Sequence, residues 1–518
     1  MSGGAASAGE GARLSCFFGE GGRAVQRITG AIASSRAAME EALNRSINPD
    51  MHLRHLRVLG REATVYYAEG LVSTDLMQHY VLAPMTALRD APAEDAEATL
   101  CQAVCACDVQ KAETIADAVT QVMNGRAVVF VEGMGCALGF DARFSVRRGI
   151  SPPLTETVVL GPHQAFNESI RDCITLLRRI LPTPDLIGEM RAIGDRYPTS
   201  LCLMYLKDAV DGDNLTRLKN RLDGVRVDHV LSIGALSQLL EDRPWSLLPQ
   251  SILTERPDRA ASMLLEGQIV LLMEGSSQAL VLPSGLMHLL HTPDDTYARW
   301  QYGSFMRGLR ICGAVASLLL PGLFAALVTF HPAALPVTLM TSVLESQATA
   351  PLSIPAEAFL MLIMFNLIGE AALRVPSSVG STLGTVSGLI LGQAAVDAGL
   401  THPLMLIVVA VSSLGSYAVP DYSLGLALRI GQLLVLAAGC IFGVYGVVLS
   451  FVAAAVRLCA LTSLGSPFAA PTAPERPRNP DGFLRAPIWL QRWRTWLGSA
   501  RDQPRARGAM RRWDRRNR

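Results

Sequence analysis

The residue groupings of an enzyme are missing from this sequence. It contains no Ser/His/Asp grouping, no metal-ligand spacing and no glycine loop leading from a strand into a helix to hold phosphate. The reading is therefore a non-enzymatic protein without a cofactor. Ten cysteines are scattered without a disulfide framework. Cys101, Cys105 and Cys107 form one cluster, which has no fourth ligand and reads as small residues buried on a helix. Residues 1–30 are rich in Gly, Ala and Ser and have no apolar core of signal-peptide length, so the soluble part of the chain is expected on the cytoplasmic side. Charge is scarce as well. Charged residues make up 18% of the 518, with a net charge of +1, and most lie before Arg310 or after Arg476.

What fills the gap between Arg310 and Arg476 is apolar sequence. A membrane span needs roughly 20 mostly apolar residues to cross a ~30 Å hydrocarbon core. Runs of about that length are Phe305–Phe330, Ala356–Val375, Thr382–Leu400, Pro403–Val419 and Leu428–Val456. Soluble cores rarely place five such runs in series. Asp294 to Arg310, with Tyr297, Trp300 and Tyr302 among Arg299, Arg307 and Arg310, reads as the aromatic and basic cytoplasmic approach to the first span.

Ahead of the membrane block the chain repeats itself. Residues 125–138 (GRAVVFVEGMGCAL) align without a gap on residues 267–280 (GQIVLLMEGSSQAL). Each copy reads as a helix, a glycine, a strand, an acidic-Gly turn and a second strand. Tyr66 and Tyr205 correspond upstream, and Ala63–Tyr67 reads as a strand. Between the units, Asn167–Ile180 reads as a helix whose Arg171, Arg178 and Arg179 favour a solvated face. The expected fold is a polytopic α-helical membrane domain of four to six segments, preceded by two repeated cytoplasmic α/β units. The boundaries are a disordered N-terminus (1–25), the units (26–160 and 161–298), the transmembrane domain (299–461) and an Arg-rich cytoplasmic tail (462–518).

Several stretches resemble the A subunit of GerA-type spore germination receptors. They are PWSLLPQ (244–250), TERPDRAASMLLEG (254–267), TFHP (329–332), LGQAAVDAGL (391–400), PDYSLGLALR (420–429) and SPFAAP (466–471), which occur in the family's order from about Val65 to Trp489. A paralogous group, the stage V sporulation AF proteins, shares most of them, whereas TFHP and EAALRVP (370–376) look closer to the receptor subunits. The resemblance implies a multi-pass protein of the spore inner membrane, working with a transporter-like B subunit and a lipoprotein C subunit. It also implies a homo-oligomer with a germinant-gated ion pore. One departure stands out: Leu362, Asn366 and Gly369 occupy positions where family members often carry charge.

Ionisable and amide groups within spans are functional candidates by default. Asn366, Glu370 and Arg374 share one helix face, either as pore-side groups or as a structural pair at the membrane edge. Gln393 and Asp397 are further candidates, while Glu357 reads as interfacial. Trp245, Thr254, Glu255, Arg256, Pro257 and Asp258 are candidates for a subunit interface or for coupling to the first span, against a plain reading in which Thr254 caps and Pro257 starts a helix. The tail from Arg476 to Arg518 holds thirteen arginines and three aspartates, which favours the cytoplasm and an even number of crossings. With Trp489, Trp493 and Trp496 it reads as a segment lying on anionic lipid rather than on nucleic acid.

Overall fold

A computed structural model describes residues 26–88, 96–104, 108–143, 153, 156–349, 351–374, 392–474, 482, 484–491 and 493–494. The stretch expected to be disordered, Cys105 and Cys107, most of the Thr382–Leu400 run, and the tail beyond Arg494 lie outside them. The chain groups into two compact units. One comprises residues up to 157, 162–236 and 253–281, and the other 158–161, 237–252 and 282 onward.

The first unit holds two five-stranded sheets. Strands β1 (Met51–Val58), β2 (Arg61–Ala68), β3 (Val109–Ala112), β4 (Arg126–Val131) and β5 (Ala137–Asp141) run in the order β1-β2-β4-β5-β3. The next five are β6 (Leu186–Ile193), β7 (Thr199–Leu206), β8 (Ile252–Thr254), β9 (Ile269–Met273) and β10 (Ala279–Leu282). They run β6-β7-β9-β10-β8, the same order shifted by one repeat. Each sheet thus begins with a strand upstream of the sequence repeat. β1 (MHLRHLRV) has a weak signature in the sequence because its apolar–polar alternation slips at Arg54-His55 and much of it is exposed. The central strands β4 and β9 are buried along their whole length, which is why they read as unbroken apolar runs.

The repeated acidic-Gly turn has a physical purpose. Helix α1 (Ile32–Ala42) begins with its Ile32 N–H donating to Glu132 Oε2 at 2.8 Å, and the Gly133 N–H donates to Gly30 O at 2.8 Å. In the second copy, helix α3 (Ile170–Ile180) starts with its Ile170 N–H on Glu274 Oε2 at 3.1 Å, and Gly275 N–H donates to Glu168 O at 2.8 Å. A carboxylate here satisfies an orphan helix donor and favours the positive end of the helix dipole. The left-handed glycines, at φ +84 and +78, turn the hairpin beneath it. Helices α2 (Ile115–Met123) and α4 (Pro257–Leu265) lead into the two hairpins, as the repeat implied.

In the second unit, α5 (Trp300–Phe330), α6 (Ile354–Arg374), α7 (Pro403–Tyr417) and α8 (Tyr422–Ala460) form a bundle. Among the described residues, α5, α6 and α8 are long and apolar enough to cross a membrane, and α7 is a shorter apolar helix. The directions are fixed by the contacts. Leu318 meets Gly431, Gly322 meets Val435 and Phe330 meets Gly443, so α5 and the first part of α8 are parallel. Gly313 meets Gly415 and the Ser412 hydroxyl donates to Ser317 O at 2.9 Å, so α7 is antiparallel to α5. Glu357 meets Thr401 while Gly369 meets Tyr417, so α6 runs parallel to α7.

The run Leu428–Val456, expected as one span, is broken at Gly443, whose φ of 63 and ψ of -149 are not helical. A Cβ at Gly446 would collide with the Ala438 carbonyl, and one at Gly439 would lie 3.0 Å from Val447 Cγ2. In a straight helix residues eight apart are separated by ~12 Å along the axis. The two arms of α8 therefore fold toward one another, about a residue whose conformation only glycine adopts readily.

Candidate functional site

Among the described residues, polar contacts between helices of the bundle gather in three places. The first is the start of α6. Glu357, 3% exposed, accepts from the Thr401 hydroxyl at 2.6 Å and from the His402 backbone N–H, and His402 Nε2 lies 3.2 Å from Ser342 O. His402 is the N-cap of α7, so a carboxylate sits on that helix's N-terminal donors. Expected at the interface, Glu357 is instead buried, because α7 brings unsatisfied N–H groups that need an acceptor. The second place is mid-bundle, where the Ser412 hydroxyl lies 3.0 Å from the oxygen of buried Gln432. The third is the opposite end of α6 and α7, where Arg429 stacks 4.3 Å from the Tyr417 ring centroid and its Nε donates to Ser416 at 3.3 Å.

Asn366 is half-buried and donates to Leu362 O at 2.9 Å, while Glu370 is exposed one turn from the helix end. Arg374 closes α6, and its side chain lies outside the described residues. Gln393 and Asp397, on a short helical stretch, are exposed. At Gly369 a Cβ would collide with the Tyr417 hydroxyl, which accounts for the missing charge there.

At the base of α5 two of the three arginines expected at the lipid interface, Arg307 and Arg310, turn inward, whereas Arg299 is exposed. Asp295, 2% exposed, accepts from Arg310 Nη1 at 2.7 Å and Nη2 at 2.9 Å, and from Arg307 Nε at 3.2 Å. Burial opposes its ionisation, but the hydrogen bonds and charges of Arg310 and Arg307 outweigh that and hold its carboxyl below the usual range. Nearby, His291 Nε2 lies 3.1 Å from Gly482 O. Burial, then the charges of Arg307 and His288, push the pKa of this histidine well below the ordinary imidazole value. Arg485 closes the same corner, donating to Ala298 O at 2.5 Å and Thr296 O at 2.8 Å. The chain beyond α8 thus returns to the end at which α5 begins. Strands β11 (Thr462–Ser463) and β12 (Ser466–Pro467) form a hairpin there, with Ser284 N–H on Ser463 Oγ at 2.9 Å and Leu286 N–H on Phe468 O at 3.0 Å. Trp489 and Trp493, farther along the chain, are half-buried.

The charged run at the start of α4, in the first unit, is organised around Glu156, a residue with no sequence motif to mark it. Glu156 accepts from the Thr254 hydroxyl at 2.5 Å, from Glu255 N–H at 3.2 Å and from Arg259. Arg256, not Thr254, is the N-cap of α4, and Pro257 occupies its first turn as expected. The Arg256 guanidinium is fully buried, donating to Asp258 at 2.7 and 3.1 Å, to Pro162 O at 2.9 Å and to Glu156 O at 3.3 Å. A second arginine differs from expectation. Arg178 is fully buried, donating to Asp50 at 2.8 Å and Leu186 O at 3.1 Å, while Arg179 is exposed. An amphipathic pattern does not reveal which of two adjacent arginines has a part-buried carboxylate waiting.

Residues 37–496 match the family model described as Bacillus/Clostridium GerA spore germination protein. The chain is 30% identical to Spore germination protein GerLA of Bacillus cereus, over 85% of this chain and 90% of that one. It is 31% identical to Spore germination protein B1 of Bacillus subtilis over 86% and 93%, and 33% identical to that organism's Spore germination protein A1 over 74% and 79%. Among solved structures, the N-terminal domain of the A subunit of the Bacillus megaterium spore germinant receptor GerK3 aligns with 50% of this chain and 97% of its own, at 25% identity and a TM-score of 0.40.

Proposed function

We propose a function from the premise that this chain belongs to the Bacillus/Clostridium GerA spore germination protein family. It acts as the A subunit of a spore germination receptor in the spore inner membrane, assembling with copies of itself into a germinant-gated ion channel. A transporter-like B subunit and a lipoprotein C subunit are its partners in the receptor. The helix directions support six crossings. Segments α5 and the first arm of α8 run one way, and α6, α7 and the second arm of α8 run the other; two consecutive parallel helices, α6 and α7, call for one more crossing between them. An even count agrees with the return of the chain beyond α8 to the base of α5; in this reading the two α/β units and the Arg-rich tail are both cytoplasmic.

The observation that carries the channel reading is the exposure of three polar side chains in the membrane unit. Glu370, Gln393 and Asp397 are exposed on segments that lie in or beside the membrane, where contact with lipid is costly. A ring of copies would turn those groups toward one another around a hydrated path. Arg256 is buried within its own unit, so its role in this reading is coupling rather than direct contact between subunits; Trp245, fully exposed, remains open to contact. The test is cation flux through the purified chain in proteoliposomes. Flux altered by Glu370→Gln or Asp397→Asn is the expected result. Intact oligomer without flux would favour a non-conducting signalling scaffold.

A further inference from the structure

Residues 241–250 form a finger with a fixed backbone. Gln250, 1% exposed, grips both main-chain groups of Arg243: its Oε1 accepts from Arg243 N–H at 3.0 Å and its Nε2 donates to Arg243 O at 2.7 Å. Ser246 N–H donates to Arg243 O at 3.0 Å, and Leu248 N–H to Ser246 Oγ at 3.2 Å, closing the tip. The base is anchored just beyond α8. Asp242 accepts from the Thr462 hydroxyl at 2.5 Å and from Leu464 and Gly465 N–H at 3.1 and 3.0 Å, while Gln250 O accepts from Ser463 Oγ at 2.6 Å.

The tip carries Trp245, 100% exposed, and Leu247, 50% exposed, beside exposed Arg243. A large apolar ring held out by so many backbone hydrogen bonds is ordered without burying anything in this chain. We propose that this finger is a lipid anchor, with the Trp245 indole and Leu247 entering the headgroup boundary and Arg243 meeting anionic headgroups. The finger's position selects the bilayer as occupant. Its base is bonded to residues directly after the last membrane arm, whose Val452 and Val456 are exposed apolar groups. The β11–β12 hairpin also bonds to the segment leading into α5, where exposed Trp300, Tyr302 and Phe305 mark the aromatic level of the membrane. Tryptophan suits that depth because one edge is apolar and the other donates a hydrogen bond.

The experiment uses the full chain in lipid nanodiscs containing anionic phospholipid. The Trp245 signal is the emission of the unaltered chain minus that of Trp245→Phe, whose unchanged thermal melt shows that it folds. Lipids brominated on the acyl carbons nearest the headgroup should remove most of that signal, whether or not aqueous acrylamide also reaches it. Quenching by acrylamide alone would leave the indole in water and overturn the anchor. Quenching by neither would place the indole under protein, as in contact with a second copy, and overturn it equally.

Discussion

The Asp242 carboxylate holds the Thr462 hydroxyl at 2.5 Å and, with it, the turn just past the last membrane arm. A charged acceptor with three donors is worth more than a neutral one, and its removal leaves those donors unmatched. Asp242→Ala is expected to destabilise the membrane unit by about 1.5–3 kcal/mol. It should also expose the Thr462–Pro474 segment to protease. Thr462→Val, which removes one donor only, should cost less. Thermal melts and limited proteolysis in detergent check both.

Gly443 folds α8 against itself at the level of Phe330. Gly443→Ala places a Cβ in a backbone region that non-glycine residues occupy at a cost of about 1–3 kcal/mol. Gly446→Ala should be as damaging, because the new methyl meets the Ala438 carbonyl. Gly308→Ala is the control, since nothing lies within 4 Å of a Cβ there. Loss of folded protein in the first two and normal recovery of the third is the expected pattern, read by fluorescence-detected gel filtration.

Glu357 is buried on two donors, whereas Glu370 is exposed. Glu357→Ala strands the Thr401 hydroxyl and the His402 N–H in the bundle, at an expected cost of about 1–3 kcal/mol. Glu370→Gln, on an exposed face, should leave the melting temperature near that of the unaltered chain and change only ion flux. Equal melts for the two variants would remove Glu357 from the structural core.

The features legible in the sequence are those whose causes are local. The repeat showed the two hairpins because the Glu132-Gly133 and Glu274-Gly275 turns are local and occur twice; that each carboxylate also caps a helix about a hundred residues upstream was not legible. The membrane domain was visible because apolar runs of spanning length have few other uses. What stayed hidden depends on distant partners. Glu156 lies about a hundred residues before Arg259, and Asp295 draws Arg307 and Arg310 away from lipid. Hydropathy could not separate the two arms of α8, since both are apolar. The closely spaced Gly439, Gly443 and Gly446 were the available signal for a bend and close packing.

Arg256 separates an interface role from an architectural one. Its guanidinium is fully buried on Asp258 and two carbonyls, so Arg256→Ala leaves a part-buried carboxylate and two acceptors without their cation. Breaking such a pair costs about 3–5 kcal/mol. The expected result is lower yield and a lower melt of the chain itself. Loss of oligomer with an unshifted melt would instead support a direct contact between subunits.

Acid should weaken the base of α5 in two separate windows. His291 has a depressed pKa in the folded chain, through burial and then the charges of Arg307 and His288, so it stays neutral there while the unfolded chain binds a proton below about pH 6.5. Its contribution is therefore constant above that value and falls as pH drops below it. Asp295 is depressed as well, so the stability it adds is present above the unfolded carboxylate pKa, near 3.9, and is lost as pH falls through its lower folded value. A melt recorded from pH 8 to 5 should fall below pH 6.5 and lose most of that slope in His291→Gln, which keeps a polar side chain without the proton. If the slope persists in the variant, the titrating group is elsewhere and His291 is not the acid-sensitive element of this corner.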